Sequence, residues 1–120
     1  MAGADRRFLM GTLDVLILKT LSWGPMHGFG VAVWLEQTAG NAVRIEDGSL
    51  YPALHRLERK EWVRARWGLT ENKRRAKFYE LTDAGRARLG QESSEWGRFA
   101  AAVSRVLEAT RAPATAGGTP

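Results

Sequence analysis

A chain of 120 residues with 44% hydrophobic content carries enough apolar surface for one modest core, so a single domain is expected rather than two. Cysteine is absent, which excludes disulfide staples, thiolate metal sites and cysteine nucleophiles; with no reason to assign an oxidising compartment, the expected location is cytoplasmic. The net charge is +5 and fourteen of the 18 basic residues are arginine, the side chain suited to bidentate contact with phosphate or guanine.

The charge is concentrated. His55 to Gly90 holds eleven Lys/Arg against five Asp/Glu, whereas the rest of the chain holds seven against eight, so the positive field belongs to one region and points to a polyanionic partner there. The opening stretch MAGADRRFLMG lacks the apolar core of a signal peptide, and runs such as Val15 to Leu18 are too short to span a bilayer; no membrane partner is expected.

In chain order, Thr12 is placed to cap a first helix whose apolar residues Leu13, Leu16, Ile17 and Leu21 share one face, with Gly24-Pro25 as its stop. A second helix is expected from about His27 to Ala39, ended by Gly40-Asn41. A third begins near Asp47-Gly48-Ser49, because Pro52 lacks an N–H and fits best within a first turn; Ser49 or Asp47 is the expected cap. On this helix Leu50, Leu54 and Leu57 share the inner face, Pro52, His55, Arg56 and Arg59 point outward, and Tyr51 lies on the flank.

After Glu61 the period changes to two. Val63, Ala65, Trp67 and Leu69 alternate with Arg64, Arg66 and Gly68, which predicts a half-buried strand, and a second strand follows at Lys77 to Leu81. The connection Thr70 to Arg75 makes the pair an antiparallel hairpin with a cationic tip at Lys73, Arg74 and Arg75. From Thr82 or Asp83 a long helix is expected to about Arg111, with Trp96, Phe99, Val103 and Val106 at heptad-like spacing and Leu89 one heptad earlier. The remaining residues, 112–120, are small or Gly/Pro-rich and predict a disordered tail.

Three helices, a hairpin and a long last helix outline a mainly α fold with a small β-hairpin: a winged helix-turn-helix over 1–82, with a C-terminal dimerisation helix over 83–111. In a helix-turn-helix the second helix of the pair enters the major groove and its exposed side chains meet base edges and phosphates. That assigns double-stranded DNA as partner and Ser49, Tyr51, Pro52, His55, Arg56 and Arg59 as contacting residues, with Lys73, Arg74, Arg75 and Lys77 from the wing. Taken singly, Tyr51 reads equally well as a core-flanking ring and Arg59 as a solvated charge; their clustering beside a basic wing favours the interface.

No nucleophile–base spacing, phosphate-cradling glycine loop or metal-ligand cluster is visible, since His27 and His55 stand 28 residues apart; no enzyme, cofactor or metal is expected. The heptad residues Leu89, Trp96, Phe99, Val103 and Val106 are expected to pair two copies into a homodimer. Flat aromatics at such a seam can also sandwich a small hydrophobic or aromatic effector, for which Phe8, Trp96 and Phe99 are the candidate pocket.

The string from Gly48 to Glu58, GSLYPALHRLE, resembles the recognition-helix signature of PadR-family transcriptional regulators. His27-Gly28-Phe29 is similar to the start of that family's second helix, Arg74 to Thr82 to its wing and second strand, and Asp83-Ala84-Gly85 to the start of its dimerisation helix, so the likeness covers about Leu9 to Leu89. The resemblance implies a homodimeric winged-helix repressor on inverted-repeat operators, in the short form with one C-terminal helix. Phe29 stands where tyrosine is frequent, and Glu61 where glycine commonly closes the recognition helix, which strains the turn if its backbone needs positive φ. Two readings of other classes compete: a winged helix that binds proteins rather than DNA, and a small-molecule sensor built around Trp96 without operator binding.

Overall fold

The computed structural model describes residues 12–114, so Phe8 of the expected effector pocket lies outside them. Helix α1 (Leu13–Leu21) starts where the Thr12 carbonyl accepts the Leu16 N–H at 3.1 Å, and it buries Leu13, Ile17, Leu18 and Leu21. Gly24, at φ 144°, turns the chain out of it.

The next element is not visible in the sequence pattern. Met26–His27 form a two-residue strand, β1, which pairs antiparallel with the later wing strand through Met26 opposite Tyr79 and His27 opposite Phe78. His27 then caps helix α2 (Gly28–Thr38), its Nδ1 accepting the Gly30 N–H at 3.1 Å. The helix ends as Gly40-Asn41 predicts, with Gly40 N–H donating to the Gln37 carbonyl and Asn41 N–H to the Glu36 carbonyl, both residues at positive φ; this paired bonding satisfies the carbonyls left orphaned at a helix end. The Glu36 side chain in turn accepts the Ile45 N–H at 2.7 Å, tying the linker back to α2.

Helix α3 (Asp47–Arg59) begins within the expected stretch, at its first residue. Glu46, not Ser49 or Asp47, is the cap residue, and its carbonyl accepts from both Ser49 and Leu50 N–H at 2.9 Å. Pro52 therefore sits in the second turn, where it has no N–H to offer the Gly48 carbonyl. Gly48 is exposed and open space surrounds it, so water can take that acceptor. Leu50, Ala53, Leu54 and Leu57 are fully buried and form the centre of the core with α1.

At the far end, Glu61 N–H donates to the Glu58 carbonyl and Trp62 N–H to the Leu57 carbonyl, with Glu61 at φ 62°. The turn does need the left-handed conformation that glycine adopts freely. An L-residue there costs about 1–2 kcal/mol.

Strands β2 (Val63–Leu69) and β3 (Arg75–Leu81) pair antiparallel from Val63 opposite Leu81 to Leu69 opposite Arg75, giving the sheet order β1-β3-β2. The expected alternation is only partly a burial pattern. Val63 is buried and Ala65 half-buried, but Trp67 and Leu69 on the same face are 60% and 68% exposed, because the outer half of the hairpin extends past the core. The second strand starts two residues before Lys77, and the turn at its tip has Lys73 at φ 61°.

Helix α4 (Asp83–Leu107) is capped by Thr82, whose Oγ1 accepts the Gly85 N–H at 3.0 Å and donates to the Glu61 carbonyl at 2.7 Å. It stops about one turn short of Arg111, and at 1.5 Å per residue it is about 38 Å long. Its first turns pack on α1 and the end of β3, with Leu89 against the core. Beyond Glu92 it leaves the core, which accounts for an overall extent of 68 × 31 × 21 Å. Among the described residues, four helices with a small three-stranded antiparallel sheet make this the winged-helix fold with a long C-terminal helix.

Candidate nucleic-acid interface

The amphipathic pattern of α3 sets which side chains it presents. With Leu50, Ala53, Leu54 and Leu57 turned inward, Pro52, His55 and Arg59 are exposed on the opposite face and Ser49 is half-buried at its edge. Tyr51 is half-wrapped: its ring lies against Gly28, where an added Cβ would stand 2.7 Å from both Cε1 and Oη. Only glycine leaves room for that ring, which brings the Tyr51 hydroxyl to the start of α2.

Arg56 does not project with its neighbours. Its Nη2 donates to Asp14 Oδ1 of α1 at 2.7 Å, so the guanidinium is folded toward α1. The helical wheel places Arg56 outward with His55 and Arg59 and carries no sign that a carboxylate 42 residues away stands within reach.

The wing is fixed to α3 by its inner face. Lys77 Nζ lies 3.7 Å from Glu58 Oε1 and over the ring of Tyr79, so Lys77 is partly engaged within the protein. Burial pushes the Tyr79 phenol above its ordinary pKa, with Glu58 and Tyr51 adding to the effect, so the ring stays neutral beside the cation. Further out, the Arg75 guanidinium stacks over the exposed Trp67 ring at 4.8 Å, an arrangement that stiffens an arginine while leaving it charged. Lys73 and Arg74 are exposed at the tip, where the Thr70 Oγ1 accepts the Arg74 N–H at 3.1 Å and shapes the turn. On the opposite face Arg64 and Arg66 share Glu80, at 3.0 and 3.4 Å.

The interface signals missed by reading the sequence are thus Asp14 and Trp67. The first is a tertiary contact. The second was legible as an aromatic beside arginines but was assigned to a half-buried row.

On α4 the heptad residues divide. Leu89 packs against its own core rather than standing in an open seam, whereas Trp96, Phe99, Val103 and Val106 are exposed, with the Trp96 and Phe99 rings 5.8 Å apart. Among the described residues a groove of about 870 Å³ opens elsewhere, between α2 and the wing, lined by Phe29, Val33, Trp34, Leu69 and Phe78 among others. Trp96 and Phe99 take no part in it. Among the described residues no helix is long and apolar enough to cross a membrane.

Residues 17–91, which include the whole recognition helix and wing, match the profile of the transcriptional regulator PadR-like family. The chain belongs to the PadR-like family of transcriptional regulators. Membership makes it a DNA-binding regulator of transcription, from a family that is not enzymatic. Among solved structures it is similar to a PadR-family regulator from Eggerthella lenta, 29% identical with a TM-score of 0.71 over 87% of this chain and 88% of that one. A PadR-like regulator from Bacillus cereus shares the fold at 23% identity, with a TM-score of 0.75 over 86% and 98% of the two chains. In sequence the chain is 39% identical over 90 residues to a 37.1 kDa protein in a transposon of Streptomyces fradiae, covering 75% of this chain but only 24% of that protein.

Proposed function

We propose that this PadR-like protein is a sequence-specific repressor that acts as a homodimer on inverted-repeat operators and responds to a small hydrophobic or aromatic effector. The observation that carries the reading is the exposed cationic edge formed by α3 and the wing: Arg59 on the helix, with His55 beside it, and Lys73, Arg74 and Arg75 on the hairpin, braced by the Lys77–Glu58 pair. In it α3 lies in the major groove, with Arg59 and His55 nearest the bases, Ser49 and the Tyr51 hydroxyl toward phosphates, and Pro52 in apolar contact. The wing tip neutralises backbone phosphates beside it, a contact driven by released counterions.

Residues 1–82 form the DNA-binding unit and 83–111 the assembly unit, with 112–120 as a tail. Trp96, Phe99, Val103 and Val106 face a second copy, because an exposed apolar row on a helix that has left its own core is unfavourable in water. The same seam holds the effector between the Trp96 and Phe99 rings. A twofold axis then sets two α3 helices about one DNA turn apart.

Nuclease footprinting of the full chain on the DNA upstream of its own coding sequence tests this directly. Two protected patches of related, inverted sequence about one helical turn apart are expected. Uniform or absent protection on that and on selected duplexes counts against an operator-binding dimer.

A further inference from the structure

We propose that Asp14, on α1, is a specificity-determining residue of the DNA interface, acting through Arg56; this rests on the reading of α3 as the helix that meets DNA. Asp14 lies in the first turn of α1, where its charge is favoured by the helix N-terminus. Its Oδ1 engages one of the five N–H donors of Arg56 at 2.7 Å, and both side chains remain partly open to solvent, 23% for Asp14 and 39% for Arg56. Among the described residues Nε and Nη1 hold no further hydrogen bond and can meet another acceptor.

The consequence for recognition follows from charge. An unrestrained arginine at the flank of a recognition helix reaches the nearest phosphate and strengthens binding to any duplex. A carboxylate held against the same guanidinium repels phosphate, while a neutral base edge is repelled far less, and it confines the side chain to one geometry. Asp14 therefore suppresses the indiscriminate contact of Arg56 and favours the base-reading one. Through α1, which packs on both α3 and α4, this restraint sits between the reading helix and the assembly helix.

The test uses the full chain, a 30-base-pair duplex selected by the wild type from a random library, and a scrambled duplex of the same composition, followed by fluorescence anisotropy over a salt series. Asp14→Asn should raise affinity for the scrambled duplex by about tenfold, lower the selected-to-scrambled ratio, and steepen the salt dependence on scrambled DNA by about one, the value for one extra phosphate contact. Asp14→Glu should keep most of the wild-type ratio. In an Arg56→Ala background, Asp14→Asn should leave the ratio unchanged. Thermal unfolding of each variant separates these effects from loss of fold.

An equal gain on both duplexes, or an Asp14→Asn effect that persists without Arg56, overturns the proposal while leaving α3 as the reading helix. If Arg56→Ala, His55→Ala and Arg59→Ala all leave both duplexes unaffected, the placement of α3 on DNA fails, and the proposal falls with it.

Discussion

Gly85 is the position at which a single methyl group tests how the long helix is joined to the winged-helix core. A Cβ there would stand 1.9 Å from the Trp62 carbonyl oxygen and 3.0 Å from Leu81 Cδ1. The first neighbour is backbone, so the start of α4 must retreat by more than 1 Å. That movement loosens the Thr82 N–H bond to the same Trp62 carbonyl at 3.1 Å and disturbs the Thr82 cap on Gly85 N–H.

Overpacking costs about 1–3 kcal/mol and a weakened hydrogen bond about 1 kcal/mol. Better helix propensity of alanine returns at most about 1 kcal/mol, so Gly85→Ala should destabilise by about 1–3 kcal/mol. The internal control is Gly90→Ala in the same helix, where open space surrounds the added atom; it should stabilise by up to about 1 kcal/mol. Urea unfolding at one fixed protein concentration measures both, since association would otherwise shift the curves. Equal effects of the two substitutions, or a Gly85→Ala loss below about 0.5 kcal/mol, well under the overpacking cost, would refute the close docking of α4 on Trp62.

Three further outcomes are expected. Glu61→Gly should stabilise by up to about 1 kcal/mol, because relief of the left-handed backbone outweighs the added freedom of the unfolded chain; a chemical melt that shows destabilisation would contradict that. Replacing Lys73, Arg74 and Arg75 together by alanine should weaken selected and random duplexes by similar factors and flatten the salt slope by about one to three, and loss of discrimination alone would reverse the roles assigned to wing and helix. Deleting Glu92 to Pro120 keeps Leu89 and every core residue, so the product should fold, sediment as a monomer and bind DNA weakly; a truncated protein that still forms a dimer would remove α4 as the assembly element.

Much of this architecture is legible because each element carries its own period. Leu50, Leu54 and Leu57 announce the inner face of α3 before any partner is known, and the change to alternation after Glu61 announces the wing. The boundaries that shifted did so for local reasons, as with Pro52, which tolerates a second-turn position because Gly48 beside it is open to water. Strand β1 was invisible because two residues have no period, and its existence depends on the edge that β3 offers. Trp67 and Leu69 show that alternation reports which side a residue faces and not whether anything covers it. Of the interface, the cationic composition and helix were readable, while the Arg56–Asp14 pair required two helices to meet.

If α3 and the wing together read and hold a duplex, sequence preference and salt dependence must appear in the same protein. Anisotropy titrations of the full chain against a selected duplex and a scrambled one, each across a salt series, test this most directly. Binding should be tighter to the selected duplex at every salt concentration, with log affinity falling linearly with log salt on both. Equal affinity for the two duplexes, or affinity indifferent to salt, would contradict it.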